Sequence, residues 1–335
     1  MRHSVVMPIA DSSHVGEARR ITARFTADMG LPERERGLVA LIVTELGNNL
    51  AKYARDGQLV IRALGAQPDG GIEILSLDTG PGFPDVDRRV ADGYSSGGTP
   101  GNGLGAVRRL SRQFDVYSAL GAGTAVMSRV VPAAGTARRA VERLQVGAVC
   151  VPLQGQDQCG DSWVVFQDAS RAILMLVDGL GHGSLAAAAA DEAVRIFDAN
   201  RGESAMEILA RAHLALRNTR GAVMAVAETD LSDGSVSFVG VGNISACLIE
   251  DGRRRHMISV NGTVGFIAKP RAFAYTWRKN AVMVLSSDGV STRWQLEQFP
   301  DLLGRHPSLI AGVLFQNYAG HRDDASILAV RWNTS

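Results

Sequence analysis

The chain has 335 residues, enough for two or three domains, and its 46% hydrophobic content supports full-sized cores rather than disorder. Lysine and arginine number 35 against 34 aspartates and glutamates, so no basic surplus points to nucleic acid or an anionic membrane. The three cysteines, Cys150, Cys159 and Cys247, form no CxxC pair, which argues against a structural zinc or a disulfide framework and for a reducing compartment.

The apolar stretch at the N-terminus meets Asp11 at once and is too short for a signal peptide. No apolar run approaches the roughly 18 residues that span a bilayer, so the expectation is a soluble cytoplasmic protein. Residues 14–29 place Val15, Ala18, Ile21 and Phe25 at helical spacing behind the capping cluster Asp11, Ser12 and Ser13, and Gly30 with Pro32 ends that helix. A second helix is predicted over 33–54, with Leu38, Leu41, Ile42 and Leu46 inward. Strands follow over 58–64 and 72–78, then a glycine-rich loop over 93–103 and a short helix to about Arg112. Strands 114–118 and 124–131, around the Gly121–Gly123 turn, close a unit of helices layered on one sheet. Residues 132–142 carry Pro, Gly and small side chains and read as a linker. The remainder predicts strands at 146–152, 162–167, 171–177, 222–228, 235–240, 245–250, 273–277, 281–286 and 325–331. Helices are expected over 184–199, 204–218 and 308–318, and two sheets with helices outside is the natural packing.

The first half carries residues suited to a nucleotide. Glu45 and Asn49, four apart on the second helix, share a face where a carboxylate and an amide can hold a cation and orient a hydroxyl. Lys52, one of only three lysines, lies a turn further on and is in reach of a phosphate. Asp78 ends a strand and is followed by Gly80 and Gly82, so a carboxylate there can accept an exocyclic amine while the backbone lies close to the base. Gly101, Gly103, Leu104 and Gly105 lie where a glycine loop opens onto a helix, a place for phosphates to meet backbone N–H groups.

The ordered set Glu45-x-x-x-Asn49, Asp78-x-Gly80-x-Gly82 and Gly101-x-Gly103-Leu104-Gly105, with Thr124 after the later glycine turn, resembles the Bergerat-fold (GHKL) ATPases. Among these it is most similar to the small serine kinases that act as anti-sigma factors or RsbT-like switch kinases, over residues 10–131. The resemblance implies Glu45 as base, Asn49 on the Mg²⁺ of ATP, Asp78 reading adenine, and Gly101–Gly105 closing over the phosphates.

The second half repeats an acidic theme: Gly160-Asp161, Asp178-Gly179, Asp288-Gly289 and Asp323-Asp324, at strand or turn edges. The apolar runs 173–177 and 281–285 deliver two of these acids at their ends. Carboxylates brought together repel one another unless cations neutralise them, and two hard cations lower the pKa of a water and bind phosphate oxygens. With Gly240–Asn243 and Gly262–Gly265 as internal turns, residues 144–332 resemble the PPM-type metal-dependent serine/threonine phosphatases of the SpoIIE/RsbX-like branch. That resemblance implies two Mn²⁺ or Mg²⁺, with Asp178 bridging both, the carbonyl of Gly179 helping one, Asp161 serving the second, and Asp288 and Asp323 the first. Asp324 competes with Asp323 for that role, and Arg171, Arg293 and Arg322 are the candidates for holding phosphate.

The expected fold class is α+β. A two-layer α/β sandwich over 1–131 and a linker over 132–142 precede an αββα sandwich over 143–335. The expected function is a bifunctional regulator of a partner-switching stress response, kinase in one half and phosphatase in the other. The resemblance implies STAS-domain antagonists as partners, with a sigma factor and a homodimer left open. The alternative is an N-terminal half that binds ATP and sequesters a partner without turnover, leaving the phosphatase as the only catalyst.

Overall fold

The computed structural model describes residues 3–65, 70–86, 90, 103–132 and 143–333. Contacts divide the chain into two compact units, His3–Arg139 with Gln295–Asn317, and Ala140–Trp294 with Tyr318–Ser335. The linker expected over 132–142 lies, beyond its first residue, outside the described residues.

The first unit begins with strand β1 (Val5–Pro8), which the sequence reading missed: four residues are too few to display a period. Helix α1 (Ser12–Asp28) follows, capped by Asp11, whose side chain accepts from the backbone N–H groups of Ser13 at 2.8 Å and His14 at 3.2 Å. Helix α2 (Glu33–Tyr53), strands β2 (Gln58–Leu64) and β3 (Gly71–Asp78), helix α3 (Leu104–Leu110) and strands β4 (Gln113–Ala119) and β5 (Gly123–Val130) come next. The sheet runs β1-β2-β3-β5-β4, antiparallel at every step. Val15, Ala18, Ile42 and Leu46 pack on Leu59, Ile61, Ile72 and Ile74. Ile21 and Leu41, expected inward, are exposed at 36% and 55%. Helix α6 (Pro307–Tyr318), late in the sequence, belongs to this unit up to Asn317.

The second unit holds two sheets. Strands β7 (Asp161–Gln167), β8 (Arg171–Gly179), β9 (Ala222–Asp230), β10 (Ser235–Val241) and the short β13 (Ser259–Val260) form one, with β14 (Ala272–Thr276) also on β10. Strands β12 (Arg253–His256), β11 (Ser245–Glu250), β15 (Val282–Ser286), β16 (Ala325–Trp332) and β6 (Leu144–Val151) form the other, in that order. Alternating residues of both, among them Leu174, Leu176, Phe238, Leu248, Met283 and Leu328, make one core. Helices α4 (Ser184–Ala199) and α5 (Ala205–Ala215) cover the outside of the β7–β10 sheet through Ala193, Phe197, Ile208 and Leu209. Ser204 and Glu207 close a capping box at the start of α5, so the helix expected over 204–218 starts on schedule and ends in a 3₁₀ turn, Leu216–Asn218. Cys150 and Cys159, apart in sequence, stand with their sulfurs 3.6 Å apart as free thiols. Among the described residues, no helix is long and apolar enough to cross a membrane.

Candidate active sites

The acidic residues of the second unit converge because strand ends converge. Asp161 opens β7 and faces Asp178 across the β7–β8 ladder. Residues paired in this way have Cα atoms about 4.5–5.5 Å apart. Asp288 leaves β15 and Asp323 enters β16, at the same end of two paired strands of the other sheet. The two sheets are tied together here. Ser287 Oγ donates to Asp161 Oδ2 at 2.7 Å, and the Ser326 N–H donates to Ser287 Oγ at 2.9 Å. Gly289 must approach the neighbouring strand closely, since a β-carbon there would lie 1.9 Å from the Asp324 carbonyl oxygen.

Asp323 and Asp324 have different surroundings. Asp324 is 2% exposed, and its two oxygens accept the N–H groups of Leu153 at 2.6 Å and Gly160 at 2.8 Å. Asp323 is half-buried, and its Oδ1 accepts the Asp324 N–H at 2.9 Å. Asp161 is buried, Asp178 half-buried and Asp288 exposed, so the acids grade from a closed floor to an open mouth. Burial raises the Asp178 carboxyl well above its ordinary range, and Asp161, Asp288, Asp323 and Asp324 push it further. Burial likewise raises Asp161, against the Ser287 hydrogen bond.

Carboxylates that raise one another in this way suit hard divalent cations. Among the described residues, no group of three or more His, Cys, Asp or Glu side chains is gathered tightly enough to hold an ion by itself. An open set of oxygen donors suits a hard cation such as Mg²⁺, which keeps several of its waters.

Two residues to which the sequence reading gave no role at the site, Asn243 and Arg220, support this cleft. Asn243 Nδ2 donates to Asp288 Oδ2 at 2.7 Å, fixing the one acid that faces solvent. The Leu180 N–H bonds the Gly221 carbonyl at 3.0 Å, so the turn before β9 lies along the loop after Asp178. Arg220 stands on that turn, and a β-carbon at Gly181 would lie 3.0 Å from its Nη1. Arg171 is not at the cleft: it starts β8, at the opposite end from Asp178, and its guanidinium donates to the carbonyls of Arg201, Gly202 and Glu203. Arg293 and Arg322 are exposed.

In the first unit, α2 packs on β3 and against α3. Glu45 and Asn49 are half-buried, one turn apart, and Lys52 is exposed. Asp78 ends β3 opposite Thr124 of β5, and its Oδ1 accepts the Gly80 N–H at 2.7 Å. Burial raises the Asp78 carboxyl, against backbone hydrogen bonds from Gly80 and Thr124. Gly123, at φ +80°, lets β5 start beside this acid, since a β-carbon would sit 2.0 Å from the Asp78 carbonyl oxygen. Thr124 Oγ1 meets Ser118 Oγ at 3.0 Å, and Ser118 Oγ accepts the Phe83 N–H at 2.9 Å just after Gly82. Gly103, Leu104 and Gly105 lead into α3, and Gly101 lies outside the described residues.

Comparison with known proteins agrees with both halves. Residues 9–129 match the histidine kinase-like ATPase domain, and residues 168–333 match stage II sporulation protein E (SpoIIE). The serine/threonine-protein kinase RsbT of Bacillus subtilis is 31% identical over 111 residues, 33% of this chain and 84% of RsbT. The phosphoserine phosphatase RsbX of Bacillus subtilis is 24% identical over 152 residues, 45% of this chain and 76% of RsbX. A crystal structure of RsbX in complex with magnesium shares the fold at a TM-score of 0.51 and 21% identity, covering 58% of this chain and 98% of that one. The chain belongs to the histidine kinase-like ATPases through its first half and to the SpoIIE family of PPM-type phosphatases through its second, one fused to the other.

Proposed function

We propose that the chain is a bifunctional switch, a protein serine/threonine kinase in its first half and a metal-dependent phosphoserine/phosphothreonine phosphatase in its second. The reading rests on one observation above all: Asp161, Asp178, Asp288 and Asp323 lie at one end of two sheets, near enough for burial and mutual repulsion to raise Asp178. Asp178 would be shared between two Mn²⁺ or Mg²⁺, the Gly179 carbonyl, Asp288 and Asp323 would serve one of them, and Asp161 would serve the other. When bound, the two cations polarise the phosphate and lower the pKa of an attacking water. Asp324, with one backbone N–H on each oxygen, positions Leu153 and Gly160 rather than an ion. Arg220 is the cation best placed to hold the phosphate of the substrate, ahead of Arg171, which is spent on carbonyls.

In the first half Asp78 accepts the exocyclic amine of adenine and Asn49 holds the Mg²⁺ of ATP. Glu45 would take the proton of the substrate hydroxyl, and Lys52, Gly103, Leu104 and Gly105 would serve the phosphates, as would Gly101, which lies outside the described residues. Such chemistry is mostly positioning and charge neutralisation, for which a half-buried carboxylate and amide on one helix face are suited. A kinase relative and a phosphoserine phosphatase relative favour one protein substrate for the two activities, which the family resemblance implies is a STAS-domain antagonist.

The test is the intact mass of a candidate STAS partner incubated with the Asp178→Asn protein and Mg-ATP. The expected result is a gain of one phosphate, reversed by wild-type protein with Mn²⁺ once ATP is removed. A partner that co-elutes but gains no phosphate makes the first half a binding module. Loss of both activities in a folded Glu45→Ala or Asp178→Asn protein refutes two independent sites.

A further inference from the structure

The chain as a whole is close to neutral, but one stretch of the second unit is not. From Gly252 to Ser287 there is no aspartate or glutamate, while Arg253, Arg254, Arg255, Lys269, Arg271, Arg278 and Lys279 all fall there, two of the chain's three lysines among them. All of these cations but Arg254 are exposed. Arg254 is used in packing: it donates to the carbonyls of Thr292 at 2.8 Å and Trp294 at 3.1 Å, with its guanidinium over the Trp294 ring.

Strand pairing brings the exposed cations into one row. Strand β12 is the edge of one sheet, and in the other β14 flanks β10 on the side away from β9. The two edges meet: Arg255 Nη2 donates to the Thr276 carbonyl, and the Ile258 N–H donates to Tyr275 Oη at 2.9 Å. Arg253 and Arg278 stand at one end of the row, where Glu250 faces Arg253 across the ladder and accepts from Arg278 Nη1 at 3.1 Å. Asp251, on the same turn, and Asp233, just before the Ser235 that pairs with Thr276, are the other acids at this end. From there both strands lead toward the end of the sheets that carries Asp288. His256 pairs with Cys247, close to the Ser245 that pairs with Ser286. Ala272, next to Arg271, pairs with Val239, and Asn243, the residue on Asp288, lies at most roughly 14 Å of chain further on.

Cations on an edge strand block stray strand pairing, and β12 serves that purpose whatever else it does. Blocking does not require a single sign, and charged surfaces ordinarily mix both. Nor do the fixed contacts of the row neutralise it. The Thr276 carbonyl and the rings of Tyr275 and Phe273, over which Arg255 and Arg271 lie at 5.7 and 5.3 Å, hold the guanidinium groups in place without supplying a negative charge. We propose that this row docks the protein substrate of the phosphatase half, and that its occupant is an acidic segment flanking the phosphoserine or phosphothreonine. The inference deepens the phosphatase reading and rests on it. Cations held in place beforehand speed association and lower KM for an acidic substrate, and they leave the phosphate-releasing step as it is.

The experiment compares two synthetic phosphoserine peptides as substrates of the full chain with Mn²⁺. One carries glutamates on both flanks, from the third residue outward, and the other carries glutamine at the same positions. In wild type at low salt, kcat/KM should be about tenfold higher for the glutamate peptide, mostly through KM, as three exposed ion pairs at about two- to threefold each would give. The preference should collapse in roughly 1 M salt, where the screening length is about 3 Å; this reading needs no variant. In the combined variant Arg253→Gln, Lys269→Gln, Arg271→Gln the preference should fall below about threefold. Turnover of the glutamine peptide should stay unchanged there, which shows that the variant folds and keeps its site. Equal kcat/KM for the two peptides in wild type, or a preference that survives in high salt or in the combined variant, overturns the acidic docking alone. Binding of duplex DNA or phosphatidylserine vesicles that the variant loses, with neither peptide preferred, overturns it in favour of another polyanion. If wild type hydrolyses neither peptide nor p-nitrophenyl phosphate, the phosphatase reading falls and this inference with it.

Discussion

Asp323 and Asp324 are adjacent and chemically identical, yet their substitution by asparagine should fail in opposite ways. In Asp324→Asn one of two N–H-accepting oxygens becomes an NH₂ group that faces the N–H of Leu153 or Gly160. A buried donor then loses its acceptor, at a cost of about 1–3 kcal/mol. Removing one charge from beside Asp161 and Asp178 offsets part of that cost when no cation is bound. Asp323→Asn keeps an oxygen for the Asp324 N–H and sits half-exposed, so the metal-free protein should change by no more than about 0.5 kcal/mol. Its loss should appear in the metal: loss of an outer-shell partner costs about 10–100-fold in affinity, and loss of a direct ligand should cost at least about 100-fold. Two assays separate these outcomes. All four tryptophans, Trp163, Trp277, Trp294 and Trp332, lie in the second unit, so urea unfolding followed by tryptophan fluorescence reports its stability. Titration with Mn²⁺ and hydrolysis of a phosphoserine peptide report the site. The reasoning is refuted if Asp324→Asn loses Mn²⁺ at unchanged stability while Asp323→Asn keeps it.

Three further outcomes follow from the geometry. Glu73→Gln removes the buried carboxylate between Arg62 and Arg129 and should cost the first unit about 3–5 kcal/mol, read as faster hydrogen exchange in β2, β3 and β5. Because the folded Glu73 pKa lies below its ordinary value, its contribution is complete above about pH 4.5 and fades as pH falls below that; the Gln protein should lose less stability than wild type over the same acid range. Arg220→Ala should raise KM for a phosphoserine peptide about 10–100-fold, the equivalent of a charged hydrogen bond of about 1.5–3 kcal/mol, with Mn²⁺ affinity unchanged and partial recovery in Arg220→Lys; an unchanged KM would remove Arg220 from the site. Gly123→Ala meets both a positive φ and the Asp78 carbonyl oxygen at 2.0 Å, so it should weaken binding of a fluorescent ADP analogue and destabilise by more than about 1 kcal/mol; binding at wild-type strength would separate β5 from the nucleotide site.

The residues that were readable in the sequence are those whose role is written in their neighbours. Asp178 and Asp288 end apolar runs that can only be interior strands, and β8 and β15 are those strands, buried along nearly their whole length. Glu45 and Asn49 need only helical spacing to share a face, and α2 provides it. Residues whose role depends on a distant segment were not readable. Arg220 gains its position because Gly179 pairs with Ala222 across the β8–β9 ladder, a register that no local pattern states. Cys150 and Cys159 meet only because the end of β6 lies beside the start of β7. Glu73 is the clearest case. Flanked by Ile72 and Ile74, it reads as the solvent side of a half-buried strand, and alternation predicts water around it. It is instead among the most buried carboxylates of the chain, because Ser308 arrives from 235 residues away. A charge is retained at such a depth only when its partners are fixed in place, so Arg62, Arg129 and Ser308 specify where helix α6 docks as well as that it does. An apolar helix face alone could slide along Leu75 and Leu77; hydrogen bonds to one buried carboxylate allow a single register.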